Sequence, residues 1–213
     1  MIKQILRTNK ITASLLEAYF VSKKYLKPKG WFISRFLNQP VDKDLIPIPW
    51  FTYSSIHFID QKLKNTAFKV FEYGSGNSTI WFASKVESVI SVEHDYEFYL
   101  KMRQKFESIH NISYEFKNLE DGYTQRILDN ENEFDIIIID GRERVQCIKN
   151  CLKALKEDGI IIFDNSDRVD YEEGNQYLSE NKFKKIDFRG FGPISHAEWQ
   201  TSIYYKKNNC FDI

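Results

Sequence analysis

Apolar and polar positions change their rhythm about a third of the way along the chain. Within residues 1–30, Ile11, Leu15, Leu16 and Tyr19 recur at intervals of three and four, the spacing of one helical face. Pro28 and Gly30 stop that helix. A loop punctuated by Pro40, Pro47 and Pro49 follows. Trp50-Phe51-Thr52-Tyr53 then leads into a helix to about Leu63, with Ile56, Ile59 and Leu63 on one face. This part holds no clear strand. Residues 1–66 therefore read as a helical, loop-rich extension, packed as a lid on the rest of the chain, with Trp50 and Tyr53 near its end.

From residue 68 short apolar runs alternate with helical patterns. Strands are predicted at 68–73, 88–94, 112–117, 134–140, 159–164, 184–189 and 201–206. Helices are predicted near 77–85, 96–108, 122–130, 143–156 and 171–180. The run Ile136-Ile137-Ile138-Ile139 shows no polar alternation, which fits a strand covered on both faces of a parallel sheet. Such strands in alternation with helices predict an α/β fold over residues 67–213. The expected architecture is Rossmann-like and doubly wound, a mostly parallel seven-stranded sheet with the N-terminal helical extension.

Composition narrows the class without naming it. An apolar content of 42% with 15% aromatics suffices for a folded core and excludes a disordered chain. Thirty basic and thirty acidic side chains cancel, so nothing indicates a nucleic-acid partner. No apolar stretch reaches the roughly 20 residues of a membrane span. The first residues, Met1-Ile2-Lys3-Gln4-Ile5-Leu6-Arg7, lack the apolar core and cleavage site of a signal peptide. Three cysteines make no disulfide framework, and Cys147 and Cys151 read as reduced core residues on one helix face. A cytoplasmic protein is expected.

The segment Glu72-Tyr73-Gly74-Ser75-Gly76-Asn77-Ser78-Thr79 carries the strongest chemical signal. It stands between a predicted strand and a predicted helix. Glycines let the backbone turn sharply and approach a ligand where a Cβ would collide. Ser78 or Thr79 can cap the following helix. Glu93, 21 residues after Glu72, ends the next apolar run. An acid at about that offset suits the two hydroxyls of a nucleotide ribose. The common dinucleotide fingerprint wants a third glycine where Thr79 stands, which argues against a nicotinamide site.

The turn resembles motif I of the class I S-adenosylmethionine-dependent methyltransferases, an acid-x-Gly-x-Gly-x-Ser/Thr pattern matched by Glu72, Gly74, Gly76 and Ser78. The resemblance runs from about residue 68 to 206. It implies that the turn, Glu72 to Thr79, holds the methionine part of the cofactor, that Glu93 binds the ribose, and that His94-Asp95 borders the adenine. Asp140 ends the fourth strand and Asp164-Asn165 the fifth, on the sheet edge where α/β ligands bind. This arrangement is similar to the metal-dependent O-methyltransferases of the catechol and caffeoyl-coenzyme A type. It implies a Mg²⁺ or similar cation on Asp140, Asp164 and Asn165, activating a substrate hydroxyl.

Asp140-Gly141-Arg142-x-Arg144-x-x-Cys147 resembles a stretch of the plant enzymes that O-methylate glucuronic acid side chains of xylan. Those also carry a Glu-x-Gly-Ser-Gly-x-Ser-Thr turn and a Ser-Val-Glu stretch, matched at 72–79 and 91–93. Arg142 or Arg144 is then a candidate for a bidentate contact with a substrate carboxylate, or pairs with Glu143, Asp167 or Asp170 on a solvated face. Asp140 also has a metal-free reading, positioning cofactor or substrate. His196, in the loop before the last strand, is a candidate base, and His57 is a weaker one. The expected function is S-adenosylmethionine-dependent O-methylation of a small-molecule or sugar hydroxyl. The rivals are a nicotinamide-dependent oxidoreductase and a non-catalytic nucleoside-binding module.

Overall fold

The computed structural model describes residues 10–63 and 67–213. Seven strands form one sheet. They are β1 (Lys69–Tyr73), β2 (Ser88–Glu93), β3 (Ile112–Phe116), β4 (Phe134–Ile139), β5 (Leu155–Asp164), β6 (Lys184–Gly190) and β7 (Trp199–Tyr205). Their order is β3-β2-β1-β4-β5-β7-β6, with the first five parallel and β7 antiparallel to both neighbours. The described helices are α1 (Lys10–Val21), α2 (Trp31–Leu37), α3 (Tyr53–Lys62), α4 (Asn77–Ala83), α5 (Tyr96–Phe106), α6 (Arg144–Cys151) and α7 (Glu172–Glu180). The Rossmann-like, mostly parallel α/β sheet expected from the apolar runs is the fold observed.

The isoleucine run explains where the core sits. Ile137 and Ile139 enter one apolar layer with Phe71, Tyr73, Cys147, Ile161 and Phe163. Ile136 and Ile138 enter the other, with Val70, Phe82, Ile160, Ile162 and Ile203. All four isoleucines are fully buried, as a strand covered on both faces requires. Cys147 and Cys151 are buried free thiols in the first layer. Burial pushes the Cys151 thiol up to about 12, which leaves it inert as a nucleophile.

Several boundaries differ from expectation. The helix predicted near 122–130 is only a 3₁₀ turn, Arg126–Asp129. The Thr124 carbonyl accepts from Tyr73 Oη at 2.7 Å and Asn150 Nδ2 at 2.8 Å, so tertiary partners take a group that a helix would use. α6 ends at Cys151, and β5 begins at Leu155, ahead of a bulge in its pairing with β4. Trp31–Leu37, unassigned in the sequence, is helical. The part of the predicted first helix before Lys10 lies outside the described residues.

Of the residues before β1, Phe51, Tyr53, Ile59 and Leu63 are buried in the second apolar layer, and others are tied to the later chain by hydrogen bonds. Trp31 Nε1 donates to the Ser195 carbonyl at 2.8 Å and Arg35 to the Ile194 carbonyl at 2.6 Å. Asn77 Nδ2 donates to the Pro40 carbonyl at 2.7 Å, and the Tyr53 amide to the Phe191 carbonyl at 2.8 Å. These bonds set residues 38–40 and Trp50 along the rim of a cleft at the sheet edge.

Candidate cofactor and acceptor cleft

The chain leaves β1 toward β2 on one side, while β4 pairs with β1 on the other. Strand order therefore reverses at β1/β4, and open α/β sheets bind ligands at such a point. A cleft of about 890 Å³ opens there. Gly74, Ser75, Gly76, Asn77 and Ser78 line it, as do Glu93, His94, Asp95, Asp140, Arg142, Asp164 and Asn165. Residues far apart in the chain are thus brought to one edge, as their positions at strand ends predicted.

The turn is built for close approach. Gly74 has φ +96°, and a Cβ there would sit 3.1 Å from the Gly141 nitrogen. Gly76 has φ +154°, with nothing within 4 Å of where its Cβ would stand, so its backbone faces open cleft. Glu72 does not face that space. It is buried beneath the turn, where its carboxyl accepts from Ser78 Oγ at 2.5 Å and Thr79 Oγ1 at 2.6 Å. Burial pushes its pKa up to about 7, against the pull of those hydroxyls. Thr79 in turn accepts from the Gly76 amide at 3.0 Å. Glu72 and Thr79 therefore hold the turn from below rather than lining the cleft, and the Tyr73 ring is buried in the core.

Glu93 closes the second wall. Its Oε2 accepts from Ser75 Oγ at 2.7 Å, and Oε1 from the amides of His94 at 2.8 Å and Asp95 at 2.9 Å. Ser75 Oγ also meets Tyr114 Oη at 2.8 Å. Asp95 caps α5 by accepting from the Phe98 amide at 2.9 Å. Phe98, Lys101, Met102 and Lys105 extend this wall from one face of α5. Their spacing of three, four and seven after a predicted strand end was readable in the sequence, although none was singled out there.

At the other end Arg144 is the organising group. It is 7% exposed. Its guanidinium donates to the Gly141 carbonyl at 2.9 Å, the Asp140 carbonyl at 3.1 Å and Asp140 Oδ1 at 3.0 Å. It also reaches the Asp164 carbonyl and, at 3.3 Å, Asn165 Oδ1. Asp164 Oδ1 accepts from Thr201 Oγ1 at 2.5 Å and Trp199 Nε1 at 2.9 Å. Burial pushes both carboxyls upward; Arg144 and Arg168 restrain Asp140, and Asp140 raises Asp164 further.

Structures of similar fold are known although the sequence is distant from them. No protein-family model matches the chain, and no curated protein does either. The precorrin-6y C5,15-methyltransferase of Geobacter metallireducens GS-15 superposes with a TM-score of 0.60 at 14% identity, over 79% of this chain and 98% of that one. M. jannaschii TYW2 in complex with AdoMet gives 0.51 at 13%, over 76% and 78%. Spermidine synthase from Thermotoga maritima gives 0.51 at 23%, over 70% of this chain but 56% of that one. The fold is that of the class I methyltransferases.

Within this methyltransferase fold the cleft fits a nucleoside cofactor. The Gly76 backbone is open where a side chain would intrude, Glu93 is fixed at the adjoining strand end, and Phe98 and Met102 supply an apolar surface. The donors expected to hold a metal do not fit one. A guanidinium already stands between Asp140 and Asp164-Asn165, and its charge opposes a cation there. Among the described residues no group of three or more His, Cys, Asp or Glu is placed to hold an ion. Arg144 also lines the cleft, but its guanidinium is committed to Asp140, Gly141, Asp164 and Asn165. Arg142 is exposed on the cleft wall, as is Arg168, which sequence reasoning passed over. His196 is exposed and absent from the lining, whereas its neighbours Ser195 and Ala197 belong to it.

Proposed function

We propose that the protein is an S-adenosylmethionine-dependent O-methyltransferase acting on a small-molecule or sugar hydroxyl whose acceptor carries a carboxylate. The observation that carries this reading is the cleft at the strand-order reversal, walled by the Gly74–Gly76 turn on one side and Glu93 on the other. When bound, S-adenosylmethionine supplies a methyl group already activated on a sulfonium. Glu93 accepts the ribose hydroxyls, and the Gly74–Gly76 backbone leaves room for the methionine part. His94, Asp95 and Phe98 border the adenine. Arg142 takes the acceptor's carboxylate in a bidentate contact. Asp140, oriented by Arg144, accepts the proton of the attacking hydroxyl. No metal takes part. Residues 38–40 and Trp50 stand at the rim as the lid.

Calorimetric titration with S-adenosylhomocysteine and with NAD separates this reading from an oxidoreductase. Binding of the first alone is expected. Binding of NAD alone overturns the proposal. Methyl transfer from labelled S-adenosylmethionine to a panel of uronic acids and catechols then tests the acceptor class. Transfer to uronic acids that Arg142→Gln weakens supports the carboxylate contact; cofactor binding with no transfer to any acceptor favours an interaction module.

A further inference from the structure

The first fifty residues concentrate a charge and an apolar surface that the cleft does not use. They hold nine Lys or Arg against three Asp or Glu, so the rest of this neutral chain holds 21 against 27. Helix α1 has no buried residue, and helical backbone continues from it through a π-helical turn, Ser22–Leu26. Leu15 is 66% exposed, Tyr19 55%, Val21 57% and Tyr25 46%. In α2, Phe36 is 87% exposed. This many exposed apolar side chains on one short stretch of chain mark a contact surface. Lysines are interleaved with them: Nζ of Lys23 stands 5.6 Å from the Tyr19 ring centre, and Nζ of Lys29 5.1 Å from that of Tyr25.

We propose that this arm, residues 10–36, docks on an anionic lipid surface. Three occupants compete for a basic arm with exposed apolar side chains, and those side chains discriminate between them. A nucleic acid would use the lysines on its phosphates, but Leu15, Val21 and Phe36 would gain nothing there. A second copy would bring the same lysine cluster against this one, and like charges repel. An anionic bilayer satisfies both features together. The apolar side chains sink to the boundary of the acyl chains while the lysines reach the headgroups. Among the described residues no helix is long and apolar enough to cross a membrane, so the docking is peripheral. The proposal does not depend on the methyltransferase reading.

Sedimentation of the full chain with vesicles tests it. One vesicle is phosphatidylcholine alone, the other an equal mixture of phosphatidylcholine and phosphatidylglycerol. The protein is expected to pellet with the mixed vesicles only and to be released by high salt. Lys23→Glu combined with Lys24→Glu lowers the partition coefficient at least about tenfold. Leu15→Ser combined with Tyr19→Ser also lowers it. An unchanged urea midpoint is expected for both variants, since these side chains are exposed. Equal pelleting with both vesicles, pelleting with neither, or undiminished binding by the charge variant overturns the proposal. So does a dimer in sedimentation velocity that Leu15→Ser with Tyr19→Ser dissolves, which would make the arm a self-association surface.

Discussion

Replacing Glu72 by Gln isolates the energetic cost of the carboxyl buried beneath the glycine turn. Burial lifts its pKa from 4.5 to about 7, and the hydroxyls of Ser78 and Thr79 oppose that lift without cancelling it. The unfolded chain releases this proton near pH 4.5, whereas the folded chain keeps it until about 7. Across that interval the folded state binds more protons, so stability falls as pH rises. The group's contribution is whole below pH 4.5 and lost once the pH has passed about 7. At about 1.4 kcal/mol per pH unit, carrying the proton over that interval costs about 3 kcal/mol.

Urea unfolding of the wild type and of Glu72→Gln, from pH 4.5 to about 8, measures this cost. Subtracting one stability curve from the other removes the titrations the two proteins share. Gln cannot ionise, so the variant should gain about 3 kcal/mol on the wild type between the two ends of the series. At the acid end the two proteins should be close, because the protonated carboxyl and the amide each offer the hydroxyls one carbonyl oxygen and a donor. A flat difference would show that burial does not dominate at Glu72. A difference of opposite sign would show that Ser78 and Thr79 hold the carboxylate charged, refuting the reasoning.

Arg144→Met should destabilise the protein by about 3–5 kcal/mol in urea unfolding, because it strands Asp140 and the strand-end carbonyls without a cation. Arg144→Lys should recover only part of that, since an ammonium cannot reproduce the planar fork. Glu93→Gln should weaken S-adenosylhomocysteine by roughly tenfold to a hundredfold in calorimetry, the value of about 1.5–3 kcal/mol for hydrogen bonds to a charged group. Unweakened binding would remove Glu93 from the cofactor site. Titration with Mg²⁺ should give no binding heat, and a saturable signal that Asp140→Asn abolishes would restore the metal.

How much of this was legible depends on which interactions are local. β4 could be read from four isoleucines because burial on both faces removes any need for alternation. The glycine turn could be read because open backbone at Gly76 and close approach at Gly74 demand that residue. The 3₁₀ turn at 126–129 could not, because the Thr124 carbonyl is claimed by side chains 51 and 26 residues away. The same limit applied to the acids at the ends of β4 and β5. The acids at 140 and 164 suggested a metal ion, whereas a guanidinium pairs with Asp140, and the Asp164 carboxyl accepts from Thr201 and Trp199. Between Arg142 and Arg144 stands Glu143 at φ +49°, with Arg144 buried and Arg142 exposed. Two arginines two residues apart look alike in sequence. Arg144 pairs with Asp140 from within, and Arg142 stays exposed on the cleft wall.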